Sequence, residues 1–415
     1  MLVRGSMHRA GAEILGRRLS QASGESSQTP CACGHAAHYH DTRPKQLLTA
    51  LGPVRFQRGY YYVCPHCHQG HSPRDRELDV EGVSCSPGVR RMLAVIGSES
   101  SFEQGREQLE LLAGIEVTAK AVERHAEAIG SDIELRQQSE IGRAKQLELP
   151  VAGGPAVPLL YIEMDGTGIP VSKSETEGRA GKVDGQPART REVKLGCIFT
   201  QTSTDSAGRP VRDEDSTSYV AAIETAEAFG LRLYTEAWRR GWSRAQKKVV
   251  IGDGAIWIWN LADQHFPSAV QIVDLYHARQ HLWDLSAKLF PNDSKGLKRW
   301  IARCLDRLEQ GKIEALVKIL RDSPRATDEL AKTIDNEADY FERNAERMRY
   351  PAFRAQGLFV GSGVVEAGSK VVIGARLKCS GMFWTVRGAN SIIALRCCRI
   401  SRRFEDYWAD RSRAA

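Results

Sequence analysis

Nowhere in its 415 residues does the chain carry the ~18 to 20 uncharged apolar residues in a row that a membrane span requires. Its N-terminus, MLVRGSMHRAGAEILGRR, has no continuous apolar core of the secretory kind. A soluble, cytoplasmic chain is therefore expected. No internal repeat is found, so nothing suggests a stacked-repeat architecture. A sequence that is 42% hydrophobic and 26% charged is neither disordered nor collagen-like. At ~150 residues per domain, the length points to two or three domains.

Charge and cysteine are present in a particular distribution. The net charge is +7. Residues 1–75 hold 9 Lys/Arg against 4 Asp/Glu, and residues 367–415 hold 10 against 3, while the middle holds 39 against 44. Two basic ends around a mildly acidic body suggest surfaces attracted to a polyanion such as DNA. Of the 10 cysteines, four form close pairs, Cys31/Cys33 and Cys64/Cys67. In a reducing compartment such pairs point to metal rather than to disulfides.

Residues 1–29 are polar and read as a flexible N-terminus. Residues 30–80 form a Cys/His-rich module, with the strand-like run QLLTALGPVRFQRGYYYV between the two Cys pairs. Residues 88–140 read as helical. Gly114 is a stop there, and Thr118 is an N-cap candidate for the next helix. A Gly/Pro-rich linker, 140–157, follows. From residue 158 to 277 strands and helices alternate: LLYIEMDG, REVKLGCIFTQ, a helical run over 219–240, KKVVIGDG, a short helix around WIWNLADQHF, and AVQIVDLYH. This predicts an α/β domain with a mixed, partly parallel sheet. Residues 278–358 are all-helical by their apolar spacing. Residues 359–415 hold a Gly-rich turn, a helix carrying Glu366 and a basic tail.

Three strands are expected to end in an acid: Asp165 in IEMDGTG, Asp253 in VIGDGA and Asp274 in IVDLYH. In an open α/β sheet, ligands bind beyond the carboxyl ends of the strands. Glu366 could cross the same edge. Clustered carboxylates repel one another and are costly without cations. Oxygen-rich sites suit Mg²⁺ or Mn²⁺. Two such ions ~3.5 to 4 Å apart can activate a nucleophile and stabilise a leaving oxygen in phosphodiester cleavage. An Asp before Gly is also a common turn residue, which is the plainer reading of each one alone. On the residues by themselves, Asp274 and Glu366 both stand as the third acid. His277 and His281, four apart, share one helix face.

The segments IEMDGTGIP, GQPARTREVKLGCIFTQT, KKVVIGDGAIWIWNLADQHFP, IVDLYHARQHLW and LFVGSGVVEAG with GMFWTVRGAN resemble the ISKra-type family of bacterial insertion-sequence transposases, over about residues 30 to 408. That resemblance implies a DDE transposase with a ribonuclease-H-like catalytic core and two Mg²⁺ (or Mn²⁺). Asp165, Asp253 and Glu366 would be its catalytic, metal-holding triad. Asp274 and His277 match a (Cys/Asp)-x-x-His signature and would support the site. Residues 278–358 would be an insertion between the second Asp and the Glu. The expected partners are the terminal inverted repeats of the element and target DNA, with a homo-oligomer in the transposition complex and nucleoid association when DNA is bound. The alternatives are a nuclease with the same core but no strand transfer, and a decayed or domesticated copy that only binds DNA.

Cys31, Cys33, Cys64 and Cys67 are expected to hold one structural Zn²⁺ in a small β module, with His35, His38, His66 and His68 as substitute ligands. The first pair is one residue shorter than CxxC. The helical region 102–130 is compatible with a helix-turn-helix, and Lys120, Arg124 and His125 are its candidates for DNA contact. Past Glu366, the residues Lys370, Arg376, Lys378 and Arg387 near Trp384 are candidates for phosphate contact and base stacking.

Overall fold

The computed structural model describes residues 2–20, 26–150, 153–181, 186 and 188–414. Residues 21–25 of the expected flexible N-terminus and 151–152 of the expected linker lie outside these. The chain divides into two units, Met1–Ile133 with Arg402–Ala415, and Glu134–Ser401.

The first unit begins with α1 (Leu2–Leu19). This corrects the expectation of a flexible N-terminus. Ala12, Leu15 and Leu19 of α1 pack on a cluster of Leu47, Val54, Phe56 and Val80, so a helix with weak amphipathicity is held by tertiary burial. The strands β1 (Gln28–Pro30), β2 (Ala36–Thr49), β3 (Gly52–Val63) and β4 (Gly70–His71) form an antiparallel sheet in that order. The β2–β3 hairpin closes where Thr49 faces Gly52, whose φ of 94° favours glycine. After α2 (Pro73–Glu77) come α3 (Pro87–Glu99), α4 (Phe102–Ala113) and α5 (Ala119–Lys145). Ser86 and Ser101 cap α3 and α4, and left-handed Gly114 ends α4. Thr118 Oγ1 accepts the Ala121 N–H at 3.1 Å. Val89, Leu93, Leu109, Ile115 and Val122 form the shared core of these helices. α5 runs 27 residues, through the start of the expected linker. The last helix, here called α16 (Phe404–Ala414), belongs to this unit. Its Tyr407 donates to Asp132 (2.6 Å) and its Arg411 bridges Asp79 and Asp132. Residues 402–415 thus pack with the first unit and not, as the sequence leads one to expect, with the α/β domain.

The second unit is built on a five-stranded sheet ordered β11-β10-β5-β6-β9. Its members are β5 (Val157–Pro170), β6 (Thr190–Gln201), β9 (Ser218–Ala222), β10 (Ala245–Gly252) and β11 (Val270–Val273). Between β6 and β9 lies a small ribbon of β7 (Ser203–Thr204) and β8 (Pro210–Val211). β5, β6 and β9 are antiparallel neighbours, while β10 and β11 run parallel to β5. Residues 219–222, expected to be helical, are thus an edge strand. A short apolar run does not by itself distinguish strand from helix. The helix starts only after the Thr225 cap, as α6 (Ala226–Arg239).

Helices cover both faces. α6 and α7 (Ile256–His265) lie on one face, where Gly196 meets Phe229 and Leu233. Successive residues of a strand face opposite sides. Leu195 therefore turns to the other face, towards Gly368 of α13 (Gly363–Gly368). A Cβ at Gly368 would stand 2.5 Å from the Tyr219 ring, so this glycine lets α13 approach the sheet. α13 continues through a π-helical stretch, Ser369–Gly374, into α14 (Ala375–Leu377), and α15 (Val386–Ile400) follows. Between β11 and α13 stand five helices: α8 (Leu275–Leu289), α9 (Ser294–Glu309), α10 (Ile313–Arg321), α11 (Asp328–Arg343) and α12 (Tyr350–Ala355). Tyr340 and Tyr350 of this insertion donate to the carbonyls of Asp253 (2.8 Å) and Val273 (3.1 Å), which ties it to the strand ends.

Candidate active site and candidate zinc centre

Asp165 sits inside β5, not at its end, because β5 runs on to Pro170 beside β6. The neighbouring strand stops earlier. Ile251 pairs with Glu163 and β10 ends at Gly252, so two residues further on Asp253 comes level with Asp165. Gly252 pairs with Val273, which puts Asp274 at the same level on the next strand. The shared level follows from strand register, with Asp253 and Asp274 just past the carboxyl ends of β10 and β11 and Asp165 level with them inside β5.

The carboxyl of Asp165 is pushed up from its usual range by burial and by the charges of Asp253 and Glu366. The Gly166 N–H (2.7 Å) and the charge of Lys378 oppose this. Asp165 therefore lies within electrostatic reach of both Asp253 and Glu366. Glu366 is exposed on α13. Asp253 Oδ1 accepts the Ala255 N–H at 2.9 Å, so it is also a turn residue, as the plainer sequence reading has it. All of the donors here are oxygens, the ligand type of a hard divalent cation, but among the described residues these three carboxylates do not close to within 4.8 Å of one another.

Asp274 has a different environment. It is 1% exposed and caps α8, accepting the N–H groups of Tyr276 (2.6 Å) and His277 (3.4 Å) through Oδ1. Its Oδ2 accepts both the N–H (3.0 Å) and the hydroxyl of Ser362, at the head of α13. Both oxygens are committed. Asp274 is thus a latch between α8 and the helix that bears Glu366.

A further acid was missed in the sequence. Glu163, two residues before Asp165 and on the same face, is fully buried. Its Oε2 accepts the Val365 N–H at 2.8 Å, which fixes α13 to β5, and Oε1 has no hydrogen-bond partner among the described residues. Burial pushes its carboxyl up to about 8, opposed by the Val365 N–H and helped by Asp274 and Glu366. No signal in IEMDG separates a buried acid from an alternating strand residue.

His277 and His281 lie on one face of α8, with Nε2 to Nε2 at 3.2 Å. His281 Nδ1 reaches Glu337 of α11 at 2.7 Å, and its ring stacks on Tyr340. Burial and then His281 push His277 below the usual imidazole range, against Asp253, Asp274 and Glu366.

The basic candidates separate. Lys378 is exposed, bonds Thr167 and faces Asp165. Lys370 and Arg387 are exposed. Arg376 and Trp384 are not available for DNA contact. Arg376 is 1% exposed with its guanidinium 4.9 Å from the Trp384 ring centroid, and Trp384 Nε1 donates to the Leu377 carbonyl. Apolar packing around a cation–π pair uses both side chains. Lys120 and Arg124 are exposed on the first turns of α5, whereas His125 is buried.

In the first unit, the Sγ atoms of Cys31, Cys33, Cys64 and Cys67 lie within 4.8 Å of one another. Cys31 to Cys67 is 3.5 Å and Cys33 to Cys64 is 3.6 Å. Four sulfurs ~2.3 Å from one zinc in a tetrahedron stand roughly 3.8 Å apart, so the cage fits that ion. The N–H of Cys67 lowers the Cys64 thiol to about 6, while desolvation and the neighbouring thiols push Cys33 and Cys67 up, as crowding of four sulfurs without a cation would. His35 and His66 stack beside the cage and form a second group with Cys33, while His38 and His68 belong to neither group.

No protein-family profile matches the chain. A Streptococcus gallolyticus protein described as "UPF0236 protein in vanSb 3'region" is 22% identical over 382 residues, which cover 88% of this chain and 74% of that protein. Among solved structures, the Drosophila P element transposase strand transfer complex aligns over 76% of this chain and 79% of that one. The TM-score is 0.26 and the identity 9%, too low to bear on fold or function. By sequence, then, the chain is weakly similar to a UPF0236 protein.

Proposed function

We propose that the second unit is a ribonuclease-H-like phosphoryl-transfer core and that the chain is a DDE transposase of a bacterial insertion sequence, of the ISKra type its motifs resemble. One observation carries this reading: Asp165 and Asp253 stand level on adjacent parallel strands, and both Asp253 and Glu366 raise the carboxyl of Asp165. The strand order, three antiparallel strands followed by two parallel ones, supports it.

Asp165, Asp253 and Glu366 would hold the Mg²⁺ ions. When bound, two such ions would supply nucleophile activation and leaving-group stabilisation. The remaining residues position and neutralise. Glu163 and the Asp274–Ser362 latch fix the helix of Glu366 at both its sheet contact and its head. Lys378 offsets negative charge beside Asp165 and can receive a phosphate. The N-terminal unit would bind the element ends through α4 and α5, with its β module held by one zinc.

The reaction is tested by incubating the chain and Mg²⁺ with DNA carrying the ends of its element and a supercoiled plasmid. The expected products are cut ends and ends joined to the plasmid. Cut ends that never join would make the chain a nuclease. Binding without cutting would remove the enzymatic reading.

A further inference from the structure

Glu337, His281 and His277 form a continuous hydrogen-bonded chain, 2.7 Å and then 3.2 Å long, that runs from α11 of the helical insertion to the first turn of α8, which Asp274 caps. A carboxylate can only accept hydrogen bonds. In its neutral form His281, facing Glu337, carries its proton on Nδ1, which leaves Nε2 as an acceptor. Facing that acceptor, His277 must carry its proton on Nε2. Its Nδ1 is then unprotonated. The ring thus has a lone pair on Nδ1, and His277 is held beside the strand ends by its backbone N–H, which Asp274 Oδ1 accepts at 3.4 Å. The chain is also held rigidly. The His281 ring lies on Tyr340 at 4.2 Å and 11°, and the Tyr340 hydroxyl bonds the Asp253 carbonyl. Gly254 is the only residue type that fits under Tyr340, since a Cβ there would stand 2.5 Å from the ring.

We infer that His277 Nδ1 is the proton acceptor for the attacking nucleophile, and that His281 and Glu337 are positioning residues that fix its tautomer and carry the proton away. This rests on the transposase reading. In hydrolysis at an element end, the water O–H bond breaks and its oxygen bonds phosphorus. The P–O3′ bond breaks, and the 3′ oxygen leaves with the electron pair and takes a proton from solvent. The proton of the water goes to His277 Nδ1. The Nε2 proton of His277 passes to His281 Nε2, the Nδ1 proton of His281 passes to Glu337, and the partly exposed Glu337 releases it to solvent. The helical insertion thereby contributes a reacting chain, not only a cover.

The test has a spectroscopic arm and a kinetic arm, both on the full chain. With ¹⁵N-labelled histidine, and His277→Asn used for assignment, the His277 ring should show the Nε2–H tautomer, and Glu337→Gln should mix the two tautomers. A ring found mainly as Nδ1–H overturns the inference. In Mg²⁺-dependent cutting of element-end DNA, His277→Ala should lose about 100-fold in rate and recover part of it with added imidazole. Full cutting by His277→Ala, where Asp165→Ala is inactive, overturns the relay alone and leaves the transposase reading standing. A wild-type chain that cuts no DNA overturns both.

Discussion

At Glu163 a carboxyl is kept in the sheet at the expense of its charge. Its proton is held up to about pH 8 in the native state, while the unfolded chain releases it in the ordinary carboxylate range. Between those limits the native state binds more protons than the unfolded state. Stability should therefore fall as pH rises through this window and level off above about 8. Glu163→Gln keeps an acceptor for the Val365 N–H and cannot ionise. Melting temperatures measured from pH 5 to 9 should show a shallower decline for the variant than for the wild type. Identical slopes would mean that Glu163 ionises normally. Asp274 and Glu366 differ in the same physical terms. One has both oxygens taken by N–H and hydroxyl groups, and the other is exposed and open to a cation. Sequence alone left the two equal as third acid, because hydrogen bonding to Ser362 is a contact between positions 88 residues apart.

At the scale of elements, the strands that carry chemistry were legible. Each of LLYIEMDG, KKVVIGDG and IVDLYH is an apolar run closed by an acid, and each falls on β5, β10 or the end of β11. What was not legible depends on distant packing. The α1 segment has almost no amphipathic pattern and is helical where it meets the sheet of the first unit. Arg376 and Trp384 look like a DNA-binding pair in one dimension and are core in three. α16 lies within the basic tail, but the ion pairs of its Arg411 are with Asp79 and Asp132. Two elements yield predictions. The β module should carry one zinc per chain, and Cys64→Ser with Cys67→Ser should lose it, as metal analysis of purified protein reads directly. Wild-type protein free of zinc would contradict this. On α5, Arg124→Ala should weaken binding to element ends by roughly 1 to 3 kcal/mol if it reads a base. Random DNA should lose less. Equal losses on both DNAs in a mobility-shift assay would assign Arg124 to phosphate contact instead.

Over the whole molecule, the two kinds of chemistry are separated by unit. The four clustered thiols, α4 and the exposed Lys120 and Arg124 lie in the first. The acids, the histidine relay and Lys378 lie in the second. Phosphate neutralisation needs cations of the protein, whereas phosphoryl transfer needs clustered acids and bound metal, so removal of the acids should spare DNA binding. The most direct measurement is the rate of Mg²⁺-dependent cutting of element-end DNA by Asp165→Asn, Asp253→Asn, Glu366→Gln and Asp274→Asn, alongside their affinity for the same DNA. The first three should each lose about 1,000-fold or more in rate and bind as the wild type does. Wild-type cutting by any one of them, or an active Glu366→Gln beside an inactive Asp274→Asn, would contradict the assignment of the catalytic acids.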